Sequence, residues 1–159
     1  EKKKKSYFIT QNVDNLHQDS GIPTEKIIEL HGNSTYAKCL SCERRFDLES
    51  VHKPFLNDGI IISCNVCGGL LKTATISFGQ PMPVEEMQRA ILKATQSDLF
   101  VSIGSSLAVY PAAGLPKLAK ESGSRLVIIN GEATDLDSIF DLVIPSRISQ
   151  FLKKLADSF

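Results

Sequence analysis

The second half of the chain alternates between short apolar runs and segments in which apolar residues recur at helical spacing. The apolar runs are rich in β-branched residues and end at Gly, Asn or Pro, which is typical of buried strands. Strands are predicted at 99–103, 125–130 and 142–144, with helices at 83–97, at about 111–121 and ending at 156. Strands that alternate with helices in this way predict an α/β fold with a doubly wound parallel sheet.

The first half follows a different pattern. A strand is expected at 7–10, a short helix at 13–18 and an extended segment at 27–31. Between residues 35 and 73 the pattern becomes irregular, and this interval holds all four cysteines. We therefore predict a large domain made of residues 1–34 and 74–159, and a small metal-stapled module at 35–73 whose own core is too small to stand alone.

The four cysteines form two Cys-x-x-Cys pairs, Cys39 with Cys42 and Cys64 with Cys67. Two such pairs allow two tight turns to present four thiolates to one zinc ion. Because cysteine fills all four positions, no coordination site stays open for water, and a structural zinc is favoured over a catalytic one. Two disulfides, or four unrelated buried thiols, are the alternatives.

Charge and hydropathy argue against two classes of partner, nucleic acids and membranes. Eighteen basic residues balance eighteen acidic ones, so no chain-wide field attracts nucleic acid. The lysine run at 2–5 is interpreted as a solvated terminus. No apolar stretch approaches the ~20 residues of a membrane helix, and we expect no membrane partner and a cytoplasmic or, in a eukaryote, nuclear location.

Polar residues crowd the turn that follows the first predicted strand, at Gln11, Asn12 and Asp14. The ligand crevice of an α/β sheet lies at such strand ends, and these side chains can recognise hydroxyls and amides. Helix capping by Asn12 or Asp14 is the competing interpretation. His31, which precedes Gly32, is either a general base or a structural histidine, and spacing alone leaves both open.

Two further turns follow predicted strands in the second half. One contains Gly104, Ser105 and Ser106, whose backbone and hydroxyl donors can approach a phosphate or a ribose. The other contains Asn130 and Glu132, which can take ribose hydroxyls. Either could also be an ordinary loop between a strand and a helix.

In this order, the motifs resemble those of the sirtuin family over nearly the whole chain. The motifs are Thr-Gln-Asn-Val-Asp-Asn-Leu-His at 10–17, Leu-His-Gly at 30–32, the paired cysteines, Phe-Gly at 78–79, Gly-Ser-Ser-Leu at 104–107 with Val109 and Pro111, and the run at 127–130. The resemblance implies a Rossmann-like domain, a small zinc-bearing module, and removal of acyl groups from protein lysine with NAD as co-substrate. The expected products are free lysine, nicotinamide and O-acyl-ADP-ribose, and acetyl is the default acyl group.

The resemblance also implies roles for individual residues. His31 would be the general base that acts on the ribose hydroxyls. The NAD contacts would be Gln11, Asn12 and Asp14 at the nicotinamide end, Gly104, Ser105 and Ser106 at the phosphates and adenine ribose, and Asn130 with Glu132 at the adenosine end. Ile76, Phe78, Gly79 and Val109 would hold an acyl-lysine peptide between two strands. Cys39, Cys42, Cys64 and Cys67 would hold the structural zinc.

Three features depart from the family pattern. The glycine-rich turn that follows the family's first strand should precede Tyr7, and residues 1–6 do not contain it. The usual Phe-Gly-Glu is Phe-Gly-Gln at 78–80, and Pro-Ser-Arg stands at 145–147 near the adenine end. The sequence thus predicts an incomplete NAD site, and the alternative function is a non-catalytic module that binds acyl-lysine peptides or NAD metabolites. The unpaired sheet edge would favour self-association.

Overall fold

Two short parallel strands carry the polar turn in the first half of the computed structural model, which describes residues 5–158. Strand β1 (Phe8–Thr10) pairs with β2 (Ile27–Glu29), and the Leu30 amide extends the pairing by donating to the Thr10 carbonyl. Helix α1 (Leu16–Asp19) starts later than predicted, because Asn15 adopts a left-handed conformation with φ 66° that a helix cannot include. Ile28 and Leu30 are fully buried and anchor this layer.

The interval from 35 to 73 is more ordered than the sequence indicated. Strand β3 (Gly32–Cys39) lies between β4 (Arg45–Asp47) and β5 (Leu71–Thr75) in an antiparallel sheet. Helix α2 (Leu48–Asp58) packs against β3 and β4. The expectation of an irregular segment was therefore wrong for most of this interval.

Helix α2 has clear start and stop signals that explain its formation. The Asp47 carboxylate accepts a hydrogen bond from the Ser50 amide at 2.8 Å and caps the first turn. Gly59 ends the helix in a left-handed conformation, and its amide donates to the Phe55 carbonyl. Pro54 lies inside the helix and obscured the helical pattern in the sequence.

The second half contains a parallel sheet, as predicted. Strands β6 (Leu99–Ile103), β7 (Arg125–Asn130) and β8 (Leu142–Pro145) pair in that order. Three helices accompany these strands: α3 (Val84–Thr95), α4 (Leu115–Glu121) and α5 (Ile148–Ala156). Helix α4 packs on β6 and β7, over the buried side chains of Leu126 and Ile128. The helix predicted at 111–121 is split, because a 3-10 turn (Ala112–Gly114) precedes α4.

An ion pair fixes the connection between β7 and β8. The Asp141 carboxylate accepts from Lys120 Nζ at 2.6 Å and from the Leu126 amide at 2.7 Å. The Lys120 hydrogen bond, together with that of the Leu126 amide, holds the pKa of Asp141 below its usual value. This carboxylate stabilises the fold at neutral pH, and its contribution is lost as the pH falls through that lowered pKa.

The chain divides into two compact units, Glu1–Met87 and Gln88–Phe159. Among residues 5–158, no helix combines the length and apolar character needed to cross a bilayer. The lysines at 2–4 lie outside the described residues.

Candidate functional site

The four cysteines predicted to bind zinc come together at one end of the antiparallel sheet. Their sulfur atoms all lie within 4.8 Å of one another. The Cys39 and Cys67 sulfurs are 3.5 Å apart and those of Cys42 and Cys64 are 3.7 Å apart. Tetrahedral zinc with Zn–S bonds of about 2.3 Å requires sulfurs about 3.8 Å apart, so the cluster fits one structural zinc ion. All four are free thiols, which excludes the disulfide alternative in this structure.

The electrostatics of the cluster favour a cation. A hydrogen bond from the Cys42 backbone lowers the pKa of Cys39 to about 6. A Gly69 backbone hydrogen bond lowers the pKa of Cys67, but the neighbouring sulfurs of Cys39, Cys42 and Cys64 together with burial outweigh it, and the pKa of Cys67 reaches about 12. One thiolate therefore suppresses ionisation of the next, as expected when like charges share a site. A divalent ion removes this conflict and lets all four thiols ionise.

The backbone around the cysteines is closely packed. The Ser41 amide lies 3.4 Å from the Cys39 sulfur, and the Gly69 carbonyl accepts from the Cys64 amide at 2.8 Å. A Cβ atom at Gly69 would lie 2.8 Å from the Cys39 sulfur, which explains the glycine at this position. The two Cys-x-x-Cys turns thus converge on one point, as their spacing predicted.

His31 is fixed in one orientation by a main-chain contact. Its Nδ1 lies 3.1 Å from the Gln11 carbonyl oxygen. Because a carbonyl oxygen only accepts hydrogen bonds, this contact places a proton on Nδ1, and in the neutral imidazole Nε2 then carries the lone pair. The imidazole is half-buried, so Nε2 is suited to accept a proton from a bound hydroxyl group.

The predicted NAD-binding residues of the polar turn next to His31 differ in their exposure and in their hydrogen bonds. Gln11 is half-buried, whereas Asn12 and Asp14 are exposed. The Asp14 carboxylate accepts from the Leu16 amide at 3.1 Å in a turn that leads into α1, whose N-cap residue is Asn15. Its other oxygen is not part of that hydrogen bond, and this contact and ligand binding are therefore compatible at Asp14.

A network that sequence reasoning missed supports the turn. Asn33 is 2% exposed and donates to Asn15 at 2.9 Å and to Glu29 at 2.8 Å. The Asn33 side-chain oxygen accepts from the backbone and the hydroxyl of Thr35. Every polar atom of this buried amide is satisfied, which makes the turn rigid. The sequence signal for this network is weak: Asn33 is a polar residue two positions after His31, close to the largely buried run at 27–30.

The buried Thr10 hydroxyl makes a second set of contacts. It accepts from the Asn12 amide at 3.1 Å and lies 3.1 Å from Nε2 of His17. Both contacts hold the chain on either side of Gln11, whose carbonyl orients His31.

Gly32 is required by the close approach of β3 to β5. It has φ +74°, and a Cβ atom there would lie 1.9 Å from the Ala74 carbonyl oxygen. We expect Gly32→Ala to lower the free energy of unfolding by about 3 kcal/mol, through backbone strain and displacement of a strand. Chemical denaturation of the zinc-loaded protein measures this loss. Gly59→Ala is the matched control, because Gly59 has φ +69° but no atom near its Cβ position, and about 1 kcal/mol is expected. Equal losses in the two variants would contradict the steric explanation.

Three of the four predicted peptide-binding residues, Ile76, Phe78 and Gly79, follow β5. The Ile76 amide donates to the His31 carbonyl at 2.9 Å and so continues the sheet for one residue. Ser77 and Gln80 then close a turn, in which Phe78 is fully exposed and Gly79 has φ +81°. Phe78 and Gly79 therefore lie in a turn beyond the end of the strand.

In the second unit, the two small-residue turns lie side by side. The register pairs Ile103 with Ile129, so Gly104 and Asn130 end neighbouring strands. Gly104 has φ +62° and its amide donates to the Ile129 carbonyl, while the Ser105 hydroxyl accepts from the Leu107 amide. The Asn130 side chain donates to the Glu132 carbonyl at 2.8 Å. Ser106, Glu132 and Val109 are exposed.

Comparisons with known proteins agree with this architecture. The Sir2 family model matches residues 1–111. NAD-dependent protein deacetylase 1 of Bradyrhizobium diazoefficiens is 56% identical over 144 residues, which are 91% of this chain and 56% of that protein. NAD-dependent protein deacylase 2 of Archaeoglobus fulgidus is 39% identical over 150 residues, covering 94% of this chain and 58% of that protein. The chain thus spans a little over half the length of these relatives.

Solved structures show the same likeness. The complex described as Sir2-p53 peptide-NAD+ has a TM-score of 0.86 and 35% identity, covering 96% of this chain and 62% of that one. Sir2Tm bound to a propionylated peptide also has a TM-score of 0.86 and 35% identity, with 96% and 63% covered. The fold is the sirtuin Rossmann-like α/β fold, accompanied by a four-cysteine cluster that fits structural zinc. The chain belongs to the Sir2 family.

Proposed function

We propose that this chain carries the base and the zinc module of an NAD-dependent protein deacylase that removes acyl groups, by default acetyl, from lysine. The observation that carries the proposal is the His31 imidazole, held through Nδ1 by the Gln11 carbonyl with Nε2 available as a base. The relatives support it, because they are NAD-dependent protein deacetylases and a deacylase. Similar solved structures are Sir2 bound to an acetylated peptide and Sir2Tm bound to a propionylated peptide.

In the proposed reaction, the acyl-lysine amide oxygen attacks C1′ of the nicotinamide ribose, and nicotinamide leaves with the electron pair of the glycosidic bond. His31 Nε2 then takes a proton from the ribose hydroxyls, and the 2′-oxygen attacks the former amide carbon. Addition of one water releases the lysine amine and leaves the acyl group as an ester of ADP-ribose. NAD and the acylated protein are both consumed as substrates.

The remaining assignments are part of the same proposal. The NAD contacts are Gln11, Asn12, Asp14, Gly104, Ser105, Ser106, Asn130 and Glu132, and the peptide contacts are Ile76, Phe78, Gly79 and Val109. Residues 1–34 and 74–159 would form the NAD-binding domain, and residues 35–73 the zinc module. Zinc would hold the module together and take no part in the reaction, since four thiolates leave no coordination site open. A cytoplasmic location is favoured because free thiols persist in reducing compartments.

The test is turnover of an acetyl-lysine peptide with NAD, followed by mass spectrometry of the peptide and of O-acetyl-ADP-ribose. The 159-residue chain is compared with a form extended upstream by a glycine-rich nucleotide-binding segment. We expect turnover in the extended form, at a rate at least about 100-fold above that of the chain alone, because the segment would supply backbone donors for the pyrophosphate. Turnover in neither form, with binding of the acylated peptide retained, would contradict catalysis and favour the binding-module alternative.

A further inference from the structure

Three basic side chains stand in one row across the antiparallel sheet of the first unit. Lys38 on β3 pairs directly with Arg45 on β4 and with Lys72 on β5. Residues directly opposite one another in a sheet project from the same face, and like charges in such pairs are destabilising. We name these three residues the basic row.

Among the ion pairs that the structure describes in residues 5–158, none involves Lys38, Arg45 or Lys72. Asp47 shares this face of the sheet because it pairs with Tyr36, but no described ion pair joins its carboxylate to the row. The Cys39 thiolate also gives no compensation on this face, because consecutive strand residues project to opposite faces.

Two members of the row are held in place by other contacts. The Arg45 guanidinium carbon lies 3.7 Å from the centre of the Tyr36 ring, so stacking orients the group and leaves its N–H edges free. Lys72 Nζ donates to the carbonyl oxygens of Thr73 and Thr75. Lys38 lies between them on the central strand, with its side chain half-buried. Arg45 and Lys72 are therefore positioned without a described anion beside them, which favours binding of one.

We propose that the basic row binds an acidic segment of a partner protein. Neighbouring strands are about 4.8 Å apart, so the three positions span about 10 Å. An extended peptide repeats its side chains on one side about every 6.8 Å, so two carboxylates of one segment reach all three cations. Arginine oriented by stacking binds carboxylates in a bidentate geometry. Three cations are few for nucleic acid, whose binding depends on many phosphate contacts, and the chain has no net charge to add to them. The proposal does not depend on the proposed deacylase activity.

The test uses the zinc-loaded chain and a fluorescein-labelled peptide rich in Glu and Asp, with its Gln and Asn counterpart and a single-stranded oligonucleotide of equal charge. Fluorescence anisotropy gives each Kd. We expect the acidic peptide to bind at least about 10-fold more tightly than the neutral one. Each charge removed from the row should weaken binding by about threefold, hence about 10-fold for Lys38→Gln with Arg45→Gln. This double variant leaves the Lys72 backbone contacts intact, and zinc content with circular dichroism verifies its fold.

Lys53→Gln is the matched control, because Lys53 lies in the same unit and pairs with Glu49 outside the row. It should change the Kd of the acidic peptide by less than about twofold. A charge swap gives an independent test: Lys38→Glu with Arg45→Glu should bind a lysine-rich peptide that the unchanged chain does not. Failure of the acidic peptide to bind, or equal binding by the double variant, would overturn the proposal. Tighter binding of the oligonucleotide with the same sensitivity to the double variant would assign the row to nucleic acid instead.

Discussion

Removal of the metal from the four-cysteine cluster is expected to unfold the antiparallel module between residues 35 and 73. Four sulfurs within 4.8 Å of one another join the two Cys-x-x-Cys turns at this end of the sheet, beside a backbone hydrogen bond from the Leu40 amide to the Leu70 carbonyl. Structural zinc sites contribute about 10–16 kcal/mol of apparent binding free energy, and in small modules this free energy is folding free energy. We expect one zinc per chain, and we expect chelation to abolish hydrogen-exchange protection in β4, α2 and β5.

Cys64→Ser gives the same prediction by mutation. Cys64 is buried and its sulfur is 3.7 Å from that of Cys42, within the cluster. Zinc binds the cysteine thiolate, and a serine hydroxyl supplies no thiolate. Zinc affinity should fall by more than about 100-fold, because even loss of partners outside the ligand set costs 10–100-fold. Competition with a chromophoric chelator measures the affinity. Ser41→Ala is the control, since it lies between two ligands and keeps its backbone amide near the Cys39 sulfur. A folded, metal-free module would refute the structural role of zinc.

Replacement of His31 by Ala is expected to lower kcat by about 10²–10⁴-fold, the usual contribution of a general base. The reason is the fixed tautomer, in which Nδ1–H donates to Gln11 and Nε2 alone can accept the proton. The measurement is peptide turnover in the form that is active in the assay proposed above. Because the imidazole is half-buried and makes one described hydrogen bond, zinc content and secondary structure should not change.

His52→Ala is the matched control for His31. His52 is an exposed histidine on α2, so its replacement removes the same chemical group from the same unit. We expect its kcat to stay within about twofold of the unchanged protein, as is usual for exposed surface positions. If the two variants kept equal activity, His31 would not be the base.

The sequence predicted the sheet of the second unit well, and the reason is local. The strand bounds at 99–103 and 125–130 match β6 and β7, because β-branched apolar runs end there at residues that interrupt strands. Helix α1 was placed too early, since nothing in the polar string indicates that Asn15 adopts a left-handed conformation. Helix α2 was missed although Asp47 and Gly59 are ordinary start and stop residues, because Pro54 interrupts the helical pattern between them.

In the candidate site, too, features encoded by nearby residues were predictable from the sequence, whereas contacts between residues distant in sequence were not. The doubled cysteine spacing predicted a cluster that the structure bears out. The partner of His31 was not predictable, because it is a backbone carbonyl at a residue twenty positions away, and a carbonyl carries no signature of residue type. The basic row was equally hidden, since three lysine and arginine positions far apart in sequence meet only through strand register.

His31 has one further property that follows from its hydrogen bonds. Its side chain contacts the Gln11 carbonyl, and its own carbonyl accepts from the Ile76 amide at 2.9 Å. One residue thus connects the polar turn mechanically to the segment that leads into the exposed Phe78. A shift of the segment that follows Ile76 would move the His31 backbone carbonyl and, with it, the imidazole. Substitutions at Ile76 and in the polar turn should therefore be energetically coupled. Their effects on the activity of His31 as a base should not be additive.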